Sequence, residues 1–242
     1  MKKLMPALLC LASAVAFAED KVVTVHGYAY DVVNNSYAYT QIDEMHFSGD
    51  KWIGGTTTYY TPEGKEFGVK SIDFTNDPFL PVYKLQFKNQ GYAEAITANG
   101  ADVSIFRRAN NDMKRGTFKK EEDMVADAGL ANFIGAHYDA LLKGETFKFR
   151  LVAPSQLDVY KFKVSRSDDA KSDGKLVHMQ VDMDSLLKLF AGPLVFVYDG
   201  ATKKLLEFNG QSEVLDPKSG KPYTVRLTYP AERPKDAPAL PP

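Results

Sequence analysis

The sequence predicts a mainly β protein, in which one large curved antiparallel sheet forms a half-barrel or open barrel and one long helix packs on its concave face. Three observations predict this fold. Apolar and polar residues alternate along many short segments, and turn signals return at intervals of about 10–15 residues. Aromatic residues, which favour strands, make up 12% of the chain.

Residues 1–18 have the pattern of a secretory signal peptide. The charged start Lys2-Lys3 precedes an uncharged apolar run, which ends in the small-x-small pattern Ala16-Phe17-Ala18. We therefore expect cleavage after Ala18 and a location in the periplasm of a Gram-negative-type envelope. The remaining residues up to 229 are then expected to form a single β-rich domain.

Charge and cysteine content exclude several classes of function. The net charge of the chain is −1, and loss of the two signal lysines makes it −3. A nucleic-acid partner is therefore not expected, because such binding needs a basic face. The only cysteine, Cys10, lies in the signal, which leaves the exported chain without a disulfide, a thiolate nucleophile or a cysteine-ligated metal. Leu9 stands where a lipoprotein signal needs a small residue, which argues against acylation of Cys10.

Beyond residue 18, no apolar run approaches the roughly 20 residues of a membrane-spanning helix. We therefore expect an exported chain that is not membrane-spanning.

Alternation of apolar and polar residues with a period of two predicts where the strands lie. Tyr83, Leu85 and Phe87, for example, alternate with polar residues, a pattern that buries one face of a sheet and wets the other. The predicted strands are 21–31, 36–48, 51–61, 65–74, 81–88, 91–98, 101–108, 145–153, 158–167, 175–183, 193–198, 203–214 and 222–229.

The stretch 127–143 departs from this rhythm and predicts the long helix. Its apolar residues recur at helical spacing, and Phe133 and Leu141 are expected to face the sheet. Asp127 is suited to the N-cap and Gly144 to the position after the C-cap.

Two glycines inside the predicted helix, Gly129 and Gly135, are poor helix formers. Their bare positions are expected to let the helix approach the sheet closely.

Three further segments complete the chain. The highly charged stretch 110–123 is interpreted as a loop before the helix. A shorter apolar turn of helix is expected over 184–191, with Asp184 as its N-cap. The proline-rich end, 230–242, is predicted to be disordered because proline cannot take part in a β-ladder.

Two regions, 124–153 and 197–229, resemble a group of uncharacterised exported proteobacterial proteins. The resemblance covers most of the exported chain and implies no activity. Many antiparallel strands with one long helix are also loosely similar to periplasmic lipoprotein carriers and related half-barrels. Those proteins wrap a curved sheet around a helix and hold acyl chains in its concave face, which implies a lipid or other hydrophobic ligand. The first likeness lies in Met124-Val125-Ala126-Asp127-Ala128-Gly129-Leu130-Ala131-Asn132-Phe133-Ile134, Ala140-Leu141-Leu142-Lys143-Gly144-Glu145, Val197-Tyr198-Asp199, Leu205-Leu206-Glu207-Phe208-Asn209-Gly210, Ser212 and Val225-Arg226-Leu227.

Residues suited to catalysis or metal binding have simpler interpretations. His178, Gln180 and Asp182 share one face of a strand, where an outward polar face explains them without a metal. His137 and Asp139 lie two positions apart on the predicted helix and point to different sides. Ser212 lacks a nucleophile-elbow motif and is interpreted as a strand or turn residue.

Carboxylate pairs and basic pairs are weighed in the same way. Asp43 and Glu44 fall on the two faces of one strand, and sequence alone does not place them across a cleft. The acidic run 121–123 is interpreted as a solvated loop. Lys114-Arg115 and Lys119-Lys120 form a basic patch that could touch anionic lipid headgroups. No catalytic residue, metal ligand or cofactor site is therefore predicted.

Tyrosines crowd the first hairpins. Tyr28 and Tyr30 are expected to share one face of a strand, and Tyr37 and Tyr39 one face of the next. Cross-strand packing explains them, and the lining of an amphiphile-binding groove is the sharper hypothesis. The candidate groove residues are Tyr28, Tyr30, Tyr37, Tyr39, Phe133 and Leu141.

These observations favour a non-enzymatic periplasmic protein that binds or chaperones a lipophilic or envelope component. The alternative is a structural or protein-interaction module, in which a sheet edge pairs with another envelope protein. An outer-membrane barrel fits the alternation and the aromatic content, but not the helix, the proline-rich end or the lysine-rich outer faces. An enzyme of an unrecognised kind is the remaining possibility.

Overall fold

The computed structural model describes residues 19–167, 175–184 and 192–240. These residues contain a single sheet of 15 strands. Each strand predicted from the alternation is present, with ends that differ by at most two residues. The strands are β1 (Asp20–Asp31), β2 (Tyr37–Ser48), β3 (Lys51–Tyr60), β4 (Glu66–Asp73), β5 (Val82–Phe87), β6 (Tyr92–Asn99), β7 (Asp102–Ala109), β8 (Asp112–Lys119), β9 (Met124–Val125), β10 (Thr146–Ala153), β11 (Asp158–Arg166), β12 (Leu176–Met183), β13 (Leu194–Asp199), β14 (Leu205–Leu215) and β15 (Pro222–Thr228).

Two antiparallel meanders, β1–β8 and β10–β15, make up the sheet. They are joined where β1 pairs with β15, so that the strand order runs from β8 through β1 and β15 to β9. The two-residue strand β9 pairs in parallel with β10. The predicted antiparallel sheet is therefore confirmed, and it is open, because β8 and β9 are edges.

The two edges of the sheet are close together in the chain. Residues 120–123 connect the end of β8 to the start of β9, and four residues span at most about 14 Å. Lys120 Nζ lies 2.7 Å from Asp77 Oδ2 at this junction. A second contact joins the two meanders: Arg107 on β7 donates a hydrogen bond of 2.8 Å to the carbonyl oxygen of Ser155, which follows β10. The sheet therefore curls until β7 contacts the connection between β10 and β11, and within the described residues no ladder joins its two edges.

Two hydrophobic clusters lie on the same, concave face. One is formed mainly by the β1–β8 meander, and the other by β10–β13 together with the helical segment. Phe208 on β14 packs against both clusters, and Phe196 lies opposite it on β13. Because opposite residues share a face of the sheet, the curved sheet encloses both clusters.

The predicted single long helix is wrong. Two short helices, α1 (Gly129–Ala136) and α2 (Tyr138–Leu142), occupy the stretch and are separated by His137. The imidazole Nδ1 of His137 lies 2.8 Å from the carbonyl oxygen of Phe133, and its ring centroid lies 4.1 Å from that of Phe147. The helical path breaks where this ring packs against the sheet.

Asp127 does not cap the helix, because its φ is 47° and the N-cap is Ala128. The predicted role of Gly144 is confirmed. With φ of 89°, Gly144 follows the C-cap Lys143. Its N–H bonds the carbonyl oxygen of Leu141, and the N–H of Glu145 bonds that of Ala140, the two bonds of a Schellman motif.

The two glycines of α1 behave differently. A Cβ at Gly129 would collide with the carbonyl oxygen of Phe79, in the loop between β4 and β5, whereas a Cβ at Gly135 would meet nothing within 4 Å. Close approach is therefore confirmed at Gly129, to a loop and not to a strand, and is wrong for Gly135.

One strand, β8, was not predicted, because its sequence is highly charged. The stretch 110–123, interpreted as a loop, contains β8, whose side chains are mostly exposed. An edge strand with few buried side chains lacks the apolar alternation on which the prediction depended. The predicted signal peptide and residues 185–191 of the short helix predicted over 184–191 lie outside the described residues.

The proline-rich end contains no helix or strand over the described residues 230–240. It was predicted to be disordered, yet it makes defined contacts. Ala237 is buried against Tyr28 and Tyr30, and the Tyr30 hydroxyl donates to Asp236 Oδ1 at 3.0 Å. Arg233 donates to the carbonyl oxygen of Ala237. The segment therefore covers part of the outer face of β1.

Among the described residues, no helix is both long enough and apolar enough to cross a membrane.

Candidate functional site

A row of polar side chains crosses the concave face at one level. Residues directly opposite each other in antiparallel strands have their side chains on the same face, so the register identifies the row. It starts on β2 and passes from strand to strand to the edge strand β8. Its polar members are Asp43, Thr57, Lys70, Glu94, Arg107 and Lys114, and the apolar Leu85 lies between Lys70 and Glu94. The concave face of the first meander is therefore charged at this level.

Lys70 holds the centre of this row. Its Nζ lies 3.0 Å from Asp127 Oδ2 and 2.9 Å from Glu213 Oε1, and 12% of its side chain is exposed. Burial by itself lowers the pKa of Lys70, but the two carboxylates outweigh burial and raise the pKa overall. The ammonium group therefore stays charged and ties β4 to β14 and to Asp127, two residues before α1.

Glu213 reaches this ammonium group from an irregular part of β14. The register of β14 with β15 shifts between Gln211 and Leu215, and such irregularities re-aim side chains. The Tyr59 hydroxyl donates to the Glu213 carboxylate. Burial raises the pKa of Glu213 to about 7, against the lowering effect of Lys70. Its ionisation therefore changes near neutral pH, although 26% of the side chain is exposed.

Asp43 accepts hydrogen bonds from two uncharged donors. Gln41 Nε2 lies 2.9 Å from its Oδ2, and Thr57 Oγ1 lies 2.6 Å from its Oδ1. Burial raises the pKa of Asp43, and these donors only partly offset it. The next residue, Glu44, is exposed and accepts from Thr56 at 3.1 Å. The two carboxylates therefore lie on opposite faces of β2, as the alternation predicted.

A further carboxylate in this row, that of Glu94 on β6, is hydrogen-bonded by two tyrosines. It is 6% exposed and accepts from the hydroxyls of Tyr83, at 2.6 Å, and Tyr92. Burial raises the pKa of Glu94 and of both phenols. Phenols with raised pKa values remain protonated, so these tyrosines act as hydrogen-bond donors and not as nucleophiles.

Side chains around Asp43 remain partly exposed on the concave face. Gln41, Asp43 and Tyr229 are each half-buried. A Cβ at Gly27 would lie 2.9 Å from Gln41 Cγ and 3.0 Å from Tyr229 Cε1, so these two side chains meet over the bare glycine. Glu213 is also partly exposed, and both Glu213 and Asp43 are near enough to Tyr229 to raise the pKa of its phenol. We call the group Gln41, Asp43, Glu213 and Tyr229 the acidic recess.

The predicted groove tyrosines separate onto two faces. Tyr28 and Tyr30 do share a face, but it is the outer face beneath the 230–240 segment. Tyr37 and Tyr39 do not share one, because the register of β1 with β2 shifts between Ala29 and Tyr30. Tyr37 packs against Tyr30, with ring centroids 5.6 Å apart.

Tyr39 is the groove tyrosine that faces the interior. It is 3% exposed, and its hydroxyl lies 2.8 Å from Ser212 Oγ. Ser212 is therefore a residue of strand β14, as interpreted, and its hydroxyl pairs with that of Tyr39. Burial raises the pKa of Tyr39, which keeps the phenol neutral. Tyr39 lies near Asp43 and Glu213 of the acidic recess.

The two helical groove candidates are packed by other side chains. The Phe133 ring centroid lies 5.4 Å from that of Phe79 and 5.2 Å from that of Phe149. Leu141 is fully buried in the same cluster. Both residues face the sheet, as predicted, but they lie in a different cluster from the tyrosines. The structure therefore does not bring the six candidates into one groove.

The remaining polar candidates have local partners. Gln180 Nε2 lies 3.0 and 3.1 Å from the two oxygens of Asp182. Asp139 pairs with Lys203 at 2.7 Å, away from His137.

The acidic run 121–123 is also partnered. Glu121 contacts Arg150, and Asp123 lies 3.0 Å from the same guanidinium group. In the basic patch, Lys119 pairs with Asp102 at 2.7 Å. A shallow crevice lies beside the Lys120–Asp77 pair, near Gly100, and is separate from the acidic recess.

Sequence reasoning missed Lys70, Glu213 and Tyr229 as a group. Glu213 is 143 positions from Lys70 along the chain, and no spacing rule connects such residues. A charged residue on the apolar face of a predicted strand is the signal that could have pointed to Lys70.

No family model and no curated protein matches the chain. Among solved structures, it is similar to a β-barrel-like protein of domain of unknown function DUF1849 from Brucella abortus, with 10% sequence identity and a TM-score of 0.39. The match covers 85% of this chain and 95% of that chain. A likeness this distant does not transfer a function.

Proposed function

We propose that the protein is a non-enzymatic binding protein of the periplasm, whose ligand enters the acidic recess on the concave face. The observation that carries the proposal is the partial exposure of polar side chains inside a curved sheet. Asp43 and Glu213 both stay accessible there although burial raises the pKa of each. Keeping ionisable groups inside a fold is costly, and such groups concentrate at functional sites.

A polar ligand fits this recess better than an acyl chain. The apolar residues expected to hold a lipid, Phe133 and Leu141, are packed by neighbouring rings and side chains. The partly exposed concave groups of the acidic recess are the carboxylates of Asp43 and Glu213, the amide of Gln41 and the phenol of Tyr229. A binding role also suits the phenols better than catalysis, because raised pKa values keep Tyr39 and Tyr59 neutral.

Native mass spectrometry of the mature chain, purified from periplasm without denaturation, tests this proposal. We expect a noncovalent adduct of a few hundred daltons or less, which disappears when the same sample is denatured. A clean apo mass in every preparation, together with no binding across a library of polar small molecules, would contradict the proposal.

The second candidate function is protein interaction through β8. This strand is an edge, most of its residues are exposed, and Met113 is 57% exposed. Exposed edges accept an added strand, although lysines there also discourage pairing. Crosslinking in intact periplasm through a residue placed at Thr117 should capture a partner if this candidate is correct, and only background if it is not.

A further inference from the structure

We infer that the edge strand β8 binds an extended, acidic segment of another protein by adding it to the sheet as a further strand. The inference rests on the second candidate function, because it names the chemistry of the partner, and it does not depend on the acidic recess. Three observations carry it: a long unpaired edge, a local excess of positive charge and an aromatic ring that is only partly covered at the edge.

The edge formed by β8 is long and regular. All eight residues from Asp112 to Lys119 pair with β7, without a register shift. Alternate residues of an antiparallel strand bond to the same neighbour, so every second residue of β8 turns its backbone N–H and C=O groups away from β7. In the described part of the chain, no strand pairs with β8 on that side. Proteins commonly protect such edges with a bulge, a proline or a very short strand, and β8 has none of these features.

The curl of the sheet leaves β8 accessible. The contact with the connection after β10 is made by Arg107 on β7, which donates to the carbonyl oxygen of Ser155. Arg107 lies one strand in from the edge, so β8 extends past this contact. Most side chains of β8 are exposed, including 57% of Met113. An incoming strand can therefore reach the edge from solvent.

The hairpin of β7 and β8 carries an excess of positive charge. Residues 102–119 contain five arginines and lysines against two aspartates, a net charge of +3, although the whole chain carries −1. Both aspartates are in exposed ion pairs, Asp112 with Lys114 at 3.2 Å and Asp102 with Lys119 at 2.7 Å. Exposed pairs contribute little stability, so these lysines can exchange their carboxylates for those of a partner.

These charges select between partners. Two copies of β8 paired with each other would place cationic side chains side by side, and like charges directly opposite each other destabilise a ladder. An acidic strand meets the same side chains with complementary charge, which favours that partner over a neutral or basic one. The lysines therefore oppose self-association without opposing an acidic segment.

Phe118 offers the partner an apolar contact. It lies on the concave face, packs against the hydrophobic cluster of the β1–β8 meander and stays partly exposed. An apolar side chain on the added strand, placed opposite Phe118, would cover the rest of this ring. We therefore expect the partner segment to combine acidic residues with at least one apolar residue.

Fluorescence anisotropy with three labelled peptides, each as long as β8, tests the charge of the partner. In each peptide, valine alternates with glutamate, glutamine or lysine. We expect saturable binding of the glutamate peptide to the mature chain, binding of the glutamine peptide that is at least about tenfold weaker, and no saturable binding of the lysine peptide. Equal binding of the glutamate and glutamine peptides, or no saturable binding of the glutamate peptide up to about 1 mM, would overturn the inference. If vesicles of anionic phospholipid bind the chain and the glutamate peptide does not, the inference also fails.

Two variants in one register row locate the site. Arg115 on β8 and Lys84 on β5 are both exposed. They lie in the same row of the outer face, through Phe106 and Ala95. Arg115→Glu and Lys84→Glu change the net charge equally, but only Arg115→Glu should weaken binding of the glutamate peptide by about tenfold or more. Equal losses would show long-range attraction without a docking strand and would contradict the inference. Circular dichroism establishes that both variants fold.

A measurement on the wild-type chain separates strand addition from attraction of charge alone. Methylation of every backbone nitrogen of the glutamate peptide keeps its charge and removes the donors of the ladder. We expect binding to be lost, and undiminished binding of the methylated peptide would overturn the inference. If crosslinking at position 117 captures a partner but the glutamate peptide does not bind, the interaction function holds and the acidic class of partner is wrong.

Discussion

Two glycines six positions apart on one short helix, Gly129 and Gly135, should respond in opposite ways to substitution by alanine. Gly129 and Gly135 both lie in α1. At Gly129 a Cβ would collide with the carbonyl oxygen of Phe79 and lie 3.0 Å from Pro81 Cδ, but at Gly135 it would meet nothing within 4 Å. Because backbone atoms of Phe79 cannot rotate away, Gly129→Ala must displace either the helix or the loop.

The magnitudes follow from these contacts. Overpacking costs about 1–3 kcal/mol, so Gly129→Ala should lower the free energy of unfolding by an amount in that range. Gly135→Ala adds no clash and removes a glycine from a helix interior, which should raise the free energy of unfolding by about 0.5–1 kcal/mol.

Urea denaturation of the mature chain, followed by circular dichroism, measures both changes against the wild type. The two variants should move the midpoint in opposite directions at an unchanged slope. If both substitutions destabilise the protein, Gly135 is packed closely after all. If both stabilise it, α1 does not rest on the 79–81 loop, and the placement of the helices is wrong.

Three further outcomes are expected from urea denaturation. Phe133→Ala should cost about 3–5 kcal/mol, because its ring is packed between Phe79 and Phe149; Val33→Ala, at an 88% exposed position, should cost under about 0.5 kcal/mol, and equal costs would contradict the packing. Lys70→Met should cost about 3–5 kcal/mol by leaving two carboxylates unpaired, whereas Lys119→Met, in an exposed pair, should cost at most about 1 kcal/mol; similar losses would show that Lys70 is not buried. Because the pKa of Glu213 is raised to about 7 in the folded state from 4.5, its ionisation should reduce stability as pH rises through that interval; Glu213→Gln should remove this part of the pH dependence, and parallel curves for variant and wild type would refute it.

The strands were predictable because their signal is local. Alternation such as Tyr83, Leu85 and Phe87 against lysine and glutamine reports a half-buried sheet directly. The edge strand β8 escaped for the same reason. Its charged side chains are mostly exposed, so nothing in its pattern distinguishes it from a loop.

The position of the helical segment was predicted correctly, but its division into two short helices was not. Apolar spacing identified Phe133 and Leu141 as sheet-facing residues, and both are buried. Spacing does not report that His137 packs against Phe147 and divides the helix, since that contact depends on a strand ten residues further along the chain.

The acidic recess could not be predicted because it depends on register and curvature. Asp43 and Lys70 occupy one row only through the pairing of β2 with β3 and β3 with β4. Glu213 joins them across the curved sheet from β14. The alternation did place Asp43 and Glu44 on opposite faces, which is the one part of the site that local pattern determines.

Carbodiimide-driven labelling of carboxyl groups, read residue by residue by peptide mass spectrometry, tests most directly whether the acidic recess is open. In the native mature chain, the exposed Glu44 should react fastest, Asp43 and Glu213 at intermediate rates, and Glu94, which is 6% exposed, slowest. Labelling of Asp43 and Glu213 clearly above Glu94 is the result that an accessible recess predicts. Protection of all three to the same degree would mean that the concave face is a closed polar core, and would contradict the binding role.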